Sequence, residues 1–155
     1  MYPYFQKNLR LQAAERTAAD PLRAFLTQNP AFGTLVFQVS GEGGAFPIEG
    51  AEIRLTKPLG DGLTLSVSLT TDESGKTLPL SLPAPAKSLS QSPNNGGGVV
   101  FASYEAEVSA PNHVPAKIIG LPVFDGVTTL QPVQLSPDFG RGQEPNLIVD
   151  EEPNL

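Results

Sequence analysis

Cysteine and tryptophan are absent from the 155 residues, and histidine and methionine occur once each. Without cysteine there is no disulfide, no thiol nucleophile and no thiolate metal site. A structural zinc ion typically needs several nitrogen or sulfur ligands, and one histidine does not supply them. Nor does that histidine, His113, make a catalytic triad, which needs a nucleophile and an orienting group beside the base. It reads as a corner residue with its ring partly exposed. Positive charge is also scarce: 10 Lys and Arg against 16 Asp and Glu leave a net charge of -6. That balance argues against nucleic acid and anionic membrane as partners. No apolar run approaches the roughly 18 residues of a membrane span, so membrane insertion is not expected. The start, MYPYFQKNLR, lacks the apolar core of a signal peptide. The expectation is a chain that is cytoplasmic at synthesis.

What is abundant is loop chemistry. With 15 Gly and 16 Pro against 39% hydrophobic residues, the composition suits short strands joined by many turns. The length suits one domain. From Gly33 onward apolar residues alternate with polar ones. The runs are Leu35-Phe37-Val39, Ala51-Ile53-Leu55, Leu63-Leu65-Val67-Leu69, Leu78-Leu80-Leu82, Tyr104-Ala106-Val108, Val114-Ala116-Ile118 and Val127 to Leu135. This is the period of half-buried strands. Turns are read at 41–44 and 58–62, and Pro132 marks an edge position or a bulge. A long Pro-, Ser-, Asn- and Gly-rich stretch from Pro83 to Gly98 has no period. Seven short strands separated by turns point to an all-β sandwich.

The two ends read differently. Phe5, Leu9 and Ala13 recur at helical spacing. Asp20-Pro21 has the form of an N-cap followed by proline at the first helical position, with Leu22, Phe25 and Leu26 on one face of a second short helix. The readings of this segment are helices packed on the flank of the domain, helices that dock a partner or second copy of the chain, or disorder. After Pro137 the chain is acidic and contains Glu-Pro-Asn-Leu twice, at 144–147 and 152–155. Such tails seldom bury enough surface to repay ordering. The expected division is a helical segment 1–32, a sandwich 33–137 and a flexible acidic tail 138–155, in which Leu147-Ile148-Val149 could add to a sheet edge.

The string Ser74-Gly75-Lys76-Thr77 resembles the end of a phosphate loop. That loop needs a glycine at position 70, where Thr70 stands, and a helix after it, where Pro79 and Pro83 stand. A turn explains the string better. Asp72 can accept bonds from backbone N–H groups further on, and Gly75 accepts the positive φ that closes a turn between two strands. Lys76 is then a solvated side chain. Glu105 and Glu107 are two apart on one strand and face the same side, toward solvent, which is not the cleft-bound pair of a glycosidase. Asp72 and Asp125 lie in glycine-containing turns but in no DxDxDG-like loop. No cofactor or metal is expected. Among the few aromatics, Phe101 and Tyr104 flank the long loop and are the best placed to stack on a sugar, although the reading to prefer for both is a core or edge residue.

Pro47-Ile48-Glu49-Gly50-Ala51-Glu52-Ile53-Arg54-Leu55 has the form P-[LI]-x-G-A-x-[VI]-x-[LV], and Thr71-Asp72-Glu73-Ser74-Gly75 the form T-D-x-x-G. Together they resemble the carboxypeptidase regulatory-like, or transthyretin-like, β-sandwich family. SGKTLPLSLPAP (74–85), Ser92-Pro93, Tyr104 and PVFDGVTTLQPVQLSP (122–137) are similar to a version of this domain at the N-terminus of clostridial peptidoglycan-binding and spore cortex-lytic proteins. The resemblance spans 33–137. It implies a seven-stranded antiparallel Greek-key β-sandwich (transthyretin-like) behind a short N-terminal helical segment, with Asp72 and Gly75 closing a hairpin. Asn112-His113 departs from the Gly-Tyr often found there. Purine-pathway hydrolases that share the transthyretin fold use several histidines and a C-terminal Tyr-Arg-Gly-Ser, neither of which is present.

The resemblance further implies an accessory module, not an enzyme: a non-catalytic protein–protein interaction or structural module of a bacterial envelope, spore or surface assembly. The alternatives are a carbohydrate- or peptidoglycan-binding module, or a pro-segment-like partner of a cell-wall hydrolase. The expected partner is a protein or a cell-wall glycan, with homo-oligomerisation through the N-terminal helices or a sheet edge. The candidate contact residues are Phe101, Tyr104, His113, Phe25 and Leu26.

Overall fold

The computed structural model describes residues 20–88, 100–140 and 145–149. The first expected helix (Phe5 to Ala13), most of the long loop and the second Glu-Pro-Asn-Leu lie outside these residues.

The second helix is present as α1 (Pro21–Gln28). Asp20 accepts the Leu22 N–H at 2.9 Å, and Pro21 opens the first turn where its missing N–H is harmless. Asn29 ends the helix by donating from both its backbone and side-chain nitrogens to the Phe25 carbonyl. Leu22 and Phe25 are buried and Leu26 packs against the core from its margin.

Among the described residues eight strands follow: β1 (Ala31–Gly41), β2 (Glu52–Gly60), β3 (Leu63–Thr70), β4 (Leu80–Ala84), β5 (Ala102–Ser109), β6 (Ala116–Val123), β7 (Thr128–Leu135) and β8 (Asn146–Val149). They form a small sheet in the order β4-β1-β7 and a large sheet in the order β3-β2-β5-β6-β8. This is the two-sheet β-sandwich expected of the transthyretin-like class. Alternating side chains fill the space between the sheets: Leu35, Phe37, Val39, Leu82, Val133 and Leu135 from one side, Ile53, Leu55, Leu65, Tyr104, Ile118 and Leu121 from the other. Burying each such side chain contributes about 1.5–3 kcal/mol.

Four details differ from the sequence expectation. β1 pairs with β7, and β6 with β8, in parallel; side-chain alternation has the same period in either direction and cannot report this. The 58–62 turn shrinks to Asp61-Gly62, both at positive φ (53° and 76°), because Asp-Gly matches the twist of a two-residue hairpin and lets β2 run to Gly60. β3 and β4 lie in different sheets, so the 72–75 turn links the layers and closes no hairpin; Leu78 points away from the core and is 81% exposed. Finally, 146–149 of the tail is ordered as β8, because Ile148 meets the core and the edge of β6 supplies backbone partners.

The two stretches quoted as motifs meet in one corner. Thr71 is buried; its hydroxyl accepts the Ala51 N–H (2.9 Å) and donates to the Ile48 carbonyl (2.6 Å). Its backbone pairs with Gly50 and Ala51. Asp72 then caps the turn, accepting from Ser74 N–H, Ser74 Oγ and Lys76 N–H at 2.9, 2.7 and 3.0 Å. The Ser74 hydroxyl first, and then the Lys76 N–H, hold the Asp72 carboxyl below its ordinary range. Gly75 has φ +78°, and a Cβ there would lie 2.4 Å from the Val39 carbonyl oxygen. Lys76 is exposed. The corner therefore locks the two sheets together.

Candidate functional site

A cleft of about 690 Å³ opens between α1 and one end of the sandwich. Such a volume suits a small ligand. Its walls include Phe25 and Gln28 from α1, Asn29 at the end of that helix, Lys57 from β2, Phe101 just before β5 and Ser103 within it. The helix is held there by Phe25, whose ring stands edge-on to Tyr104 with centroids 6.4 Å apart. Tyr104 is 1% exposed, so it supports the cleft from behind. Its hydroxyl donates to the Pro83 carbonyl at 2.6 Å, a bond from the large sheet to the small one. Burial pushes the Tyr104 pKa well above its ordinary value. Phe101 packs at a tilt on Phe124, centroids 5.6 Å apart.

Lys57 is the polar centre of this end. Along β2 the inward positions run Ile53, Leu55, Lys57 and Leu59, so the lysine interrupts an apolar row. Its amine donates to the Ser103 carbonyl at 2.8 Å and stands 5.8 Å from the centre of the Tyr104 ring. Desolvation lowers its pKa, and the charge of Glu105 works the other way. The lysine was not among the residues singled out from sequence. Its signal was there: a cation at an inward position of an alternating strand.

Of the five candidate residues, the structure brings Phe25 and Phe101 to the cleft, with Tyr104 behind them. Leu26 packs at the margin of the core and does not line it. His113 lies at another corner, where its Nδ1 sits 2.8 Å from the Pro111 carbonyl and its backbone pairs with Pro137. Among the described residues, no three His, Cys, Asp or Glu side chains gather to hold a metal. Asp72 is occupied by its turn, and Asp125 accepts the Lys87 N–H at 2.9 Å. No helix among them is long and apolar enough to cross a membrane.

The outer faces of the two sheets contrast. On the small sheet, Thr34, Val36, Gln38 and Ser40 of β1 lie beside Thr128, Leu130, Pro132 and Gln134 of β7. All eight are at least partly exposed and none is charged. On the large sheet the register sets Arg54 opposite Glu107 and Glu107 opposite Lys117.

No family model matches the chain, and no curated protein does. Solved structures similar to it include the TIE protein of Bacillus anthracis, at 16% identity over 69% of this chain and 17% of that one, TM-score 0.45. Another is 5-hydroxyisourate hydrolase of Klebsiella pneumoniae, at 16% identity over 68% of this chain and 86% of that one, TM-score 0.43. Catechol 1,2-dioxygenase of Acinetobacter is similar at 14% identity over 77% and 58%, TM-score 0.45. The chain thus spans less than two thirds of the length of the first and third of these.

Proposed function

We propose that the chain is a non-catalytic interaction module that holds a protein partner against the outer face of its small sheet. The observation that carries this reading is the uncharged double row on β1 and β7 in a chain of net charge -6. Exposed strands are ordinarily protected by charged side chains. Here the eight positions of the double row carry none, Pro132 removes a donor from the edge strand β7, and the nearest bridged cation is Lys76, beside Gln38. A face of Val, Leu, Pro, Thr and Gln fits a partner surface that is itself neutral. The resemblance of residues 33–137 to clostridial envelope and spore modules supports a setting in a bacterial envelope, spore or surface assembly, where a cell-wall hydrolase is one partner of this kind.

The test is a paired enrichment from an envelope extract with wild-type and Leu130→Lys chains as bait. Proteins held by the wild type and lost by the variant are expected; two identical sets of captured proteins would remove this reading.

A second reading is favoured by the cleft. An aromatic wall (Phe101), an amide (Gln28) and an amine (Lys57) are groups that hold a glycan bearing a carboxylate. Cosedimentation with murein sacculi decides it: binding that falls on Phe101→Ala supports it, and a chain that stays in the supernatant excludes it.

A further inference from the structure

β8 is a shallow strand on a rigid neighbour. It has four residues, of which Ile148 alone packs against the core; Leu147 and Val149 are 62% and 58% exposed. Its attachment is the parallel ladder to β6, from Ala116↔Asn146 to Ile119↔Val149, continued by the Asn146 N–H donating to the Pro115 carbonyl at 2.9 Å. β6 is different in kind. Ala116 and Ile118 are fully buried and belong to the core, and β6 is also paired along its other edge with β5. The chain leading to β8 is held independently as far as Asp138. The Val114 N–H donates to the Ser136 carbonyl (2.8 Å), and the Asp138 N–H to the Asn112 carbonyl (2.9 Å). β8 can therefore leave β6 at the cost of its ladder and the one Ile148 contact, with β6 still paired to β5 and the path as far as Asp138 still held. Strands held by so few buried groups open at low free-energy cost, and the edge they expose is a template for another strand.

We propose that the β6 edge at 116–119 is a strand-acceptor site whose occupant in trans is residues 146–149 of a second copy of this chain. The occupant follows from the register. A second copy carries the same Asn-Leu-Ile-Val, so exchange keeps every backbone pairing and returns Ile148 to the same place. The pairing is parallel, and parallel neighbours are joined by crossovers, not tight turns. The ladder therefore does not require donor and acceptor to belong to one chain. Dilute protein favours the intramolecular arrangement because the tethered strand has the higher effective concentration; concentrated protein favours exchange.

The absence of native cysteine makes the test clean. Lys117 and Leu147 are directly opposed and both exposed. A double Lys117→Cys, Leu147→Cys chain, oxidised when dilute, is expected to close internally. Mixing full-length Lys117→Cys chains with Leu147→Cys chains at high concentration is expected to give a disulfide-linked heterodimer. Its yield should exceed that of a control mixture of Ser66→Cys, on exposed β3, with Leu147→Cys. Adding Ile148→Asp to the Leu147→Cys chain should remove the excess, as should a surplus of the free peptide Pro-Asn-Leu-Ile-Val-Asp, which leaves the protein itself unaltered. Failure of the double variant to close, a heterodimer yield no greater than the control, or an excess untouched by the peptide would each overturn the proposal.

Discussion

The two outer faces of this sandwich are made by the same alternation yet are finished in opposite ways. On the large sheet, Arg54, Glu107 and Lys117 form a row of alternating charge across β2, β5 and β6. On the small sheet, the corresponding positions of β1 and β7 are Thr, Val, Leu, Pro, Gln and Ser. The inner faces differ less: both are largely aliphatic with one large aromatic side chain each, Phe37 and Tyr104, and Lys57 is the cation at an inward position of the large sheet. Packing alone therefore does not require the asymmetry. Opposite-charge pairs across strands add stability and solubility, and the small sheet forgoes them. A neutral face that gives up this benefit is one that another surface can cover without desolvating a charge.

The comparison stands only while the two sheets stay hooked together, so the largest effect is expected at the corner. Gly75→Ala places a Cβ against the Val39 carbonyl at φ +78° and should cost about 3–5 kcal/mol, read as a drop in the urea midpoint. Thr71→Val leaves the Ala51 N–H and Ile48 carbonyl without the hydroxyl and should cost about 2 kcal/mol.

Tyr104→Phe removes the hydrogen bond from the large sheet to the small one and should cost about 1–2 kcal/mol at neutral pH. It should also change the alkaline limb. Burial raises the Tyr104 pKa, so its contribution is full below the ordinary tyrosine value of about 10 and is lost as pH rises beyond it. Lys57 acts in the other direction: its lowered pKa means that burial of the charge opposes folding at neutral pH, a penalty relieved as pH rises through the folded value. Denaturation curves taken between neutral and strongly alkaline pH should therefore fall less steeply for Tyr104→Phe than for wild type. In a Lys57→Met background the tyrosine limb should stand alone.

Smaller effects distinguish the faces themselves. Glu107→Lys sets three cations in a row across the large sheet and should cost about 0.5–1 kcal/mol, with part of the loss recovered at high salt. Leu130→Lys on the small sheet should change stability by no more than about 0.5 kcal/mol.

Local rules were readable where a single residue type meets a single need. Asp20-Pro21 announced a helix start, Asp72 and Gly75 a turn, and the alternating runs a sandwich, because each is set by short-range sterics and hydrogen bonding. Strand direction and sheet membership were not readable in this way. Leu63 to Leu69 and Leu78 to Leu82 look like a hairpin, yet the turn between them crosses from one layer to the other, a choice made by Thr71 and Gly75 packing against β1 and the 47–51 segment. The Asp61-Gly62 turn is legible as Asp-Gly, but the flanking Pro58 and Gly60 make it look wider than the two residues it uses. In the acidic tail, Leu147-Ile148-Val149 is legible as an edge-pairing segment, but composition does not show that the edge it joins is β6 of its own chain. At the candidate site, Phe101 and Tyr104 are legible as aromatics beside a loop and Phe25 as one face of a short helix; Lys57 is legible only from its place in the row Ile53-Leu55-Lys57-Leu59, which the apolar runs alone do not reveal.

The asymmetry of the faces is tested most directly by placing the same charge on each. Leu130→Lys alters the neutral face and Ser66→Lys the outer face of β3. Both chains, with wild type, would be compared by quantitative enrichment of bound envelope proteins at matched folding stability. Loss of specific partners confined to Leu130→Lys is the result expected if the small sheet is the binding face. Equal loss from both chains, or loss from Ser66→Lys alone, would contradict it.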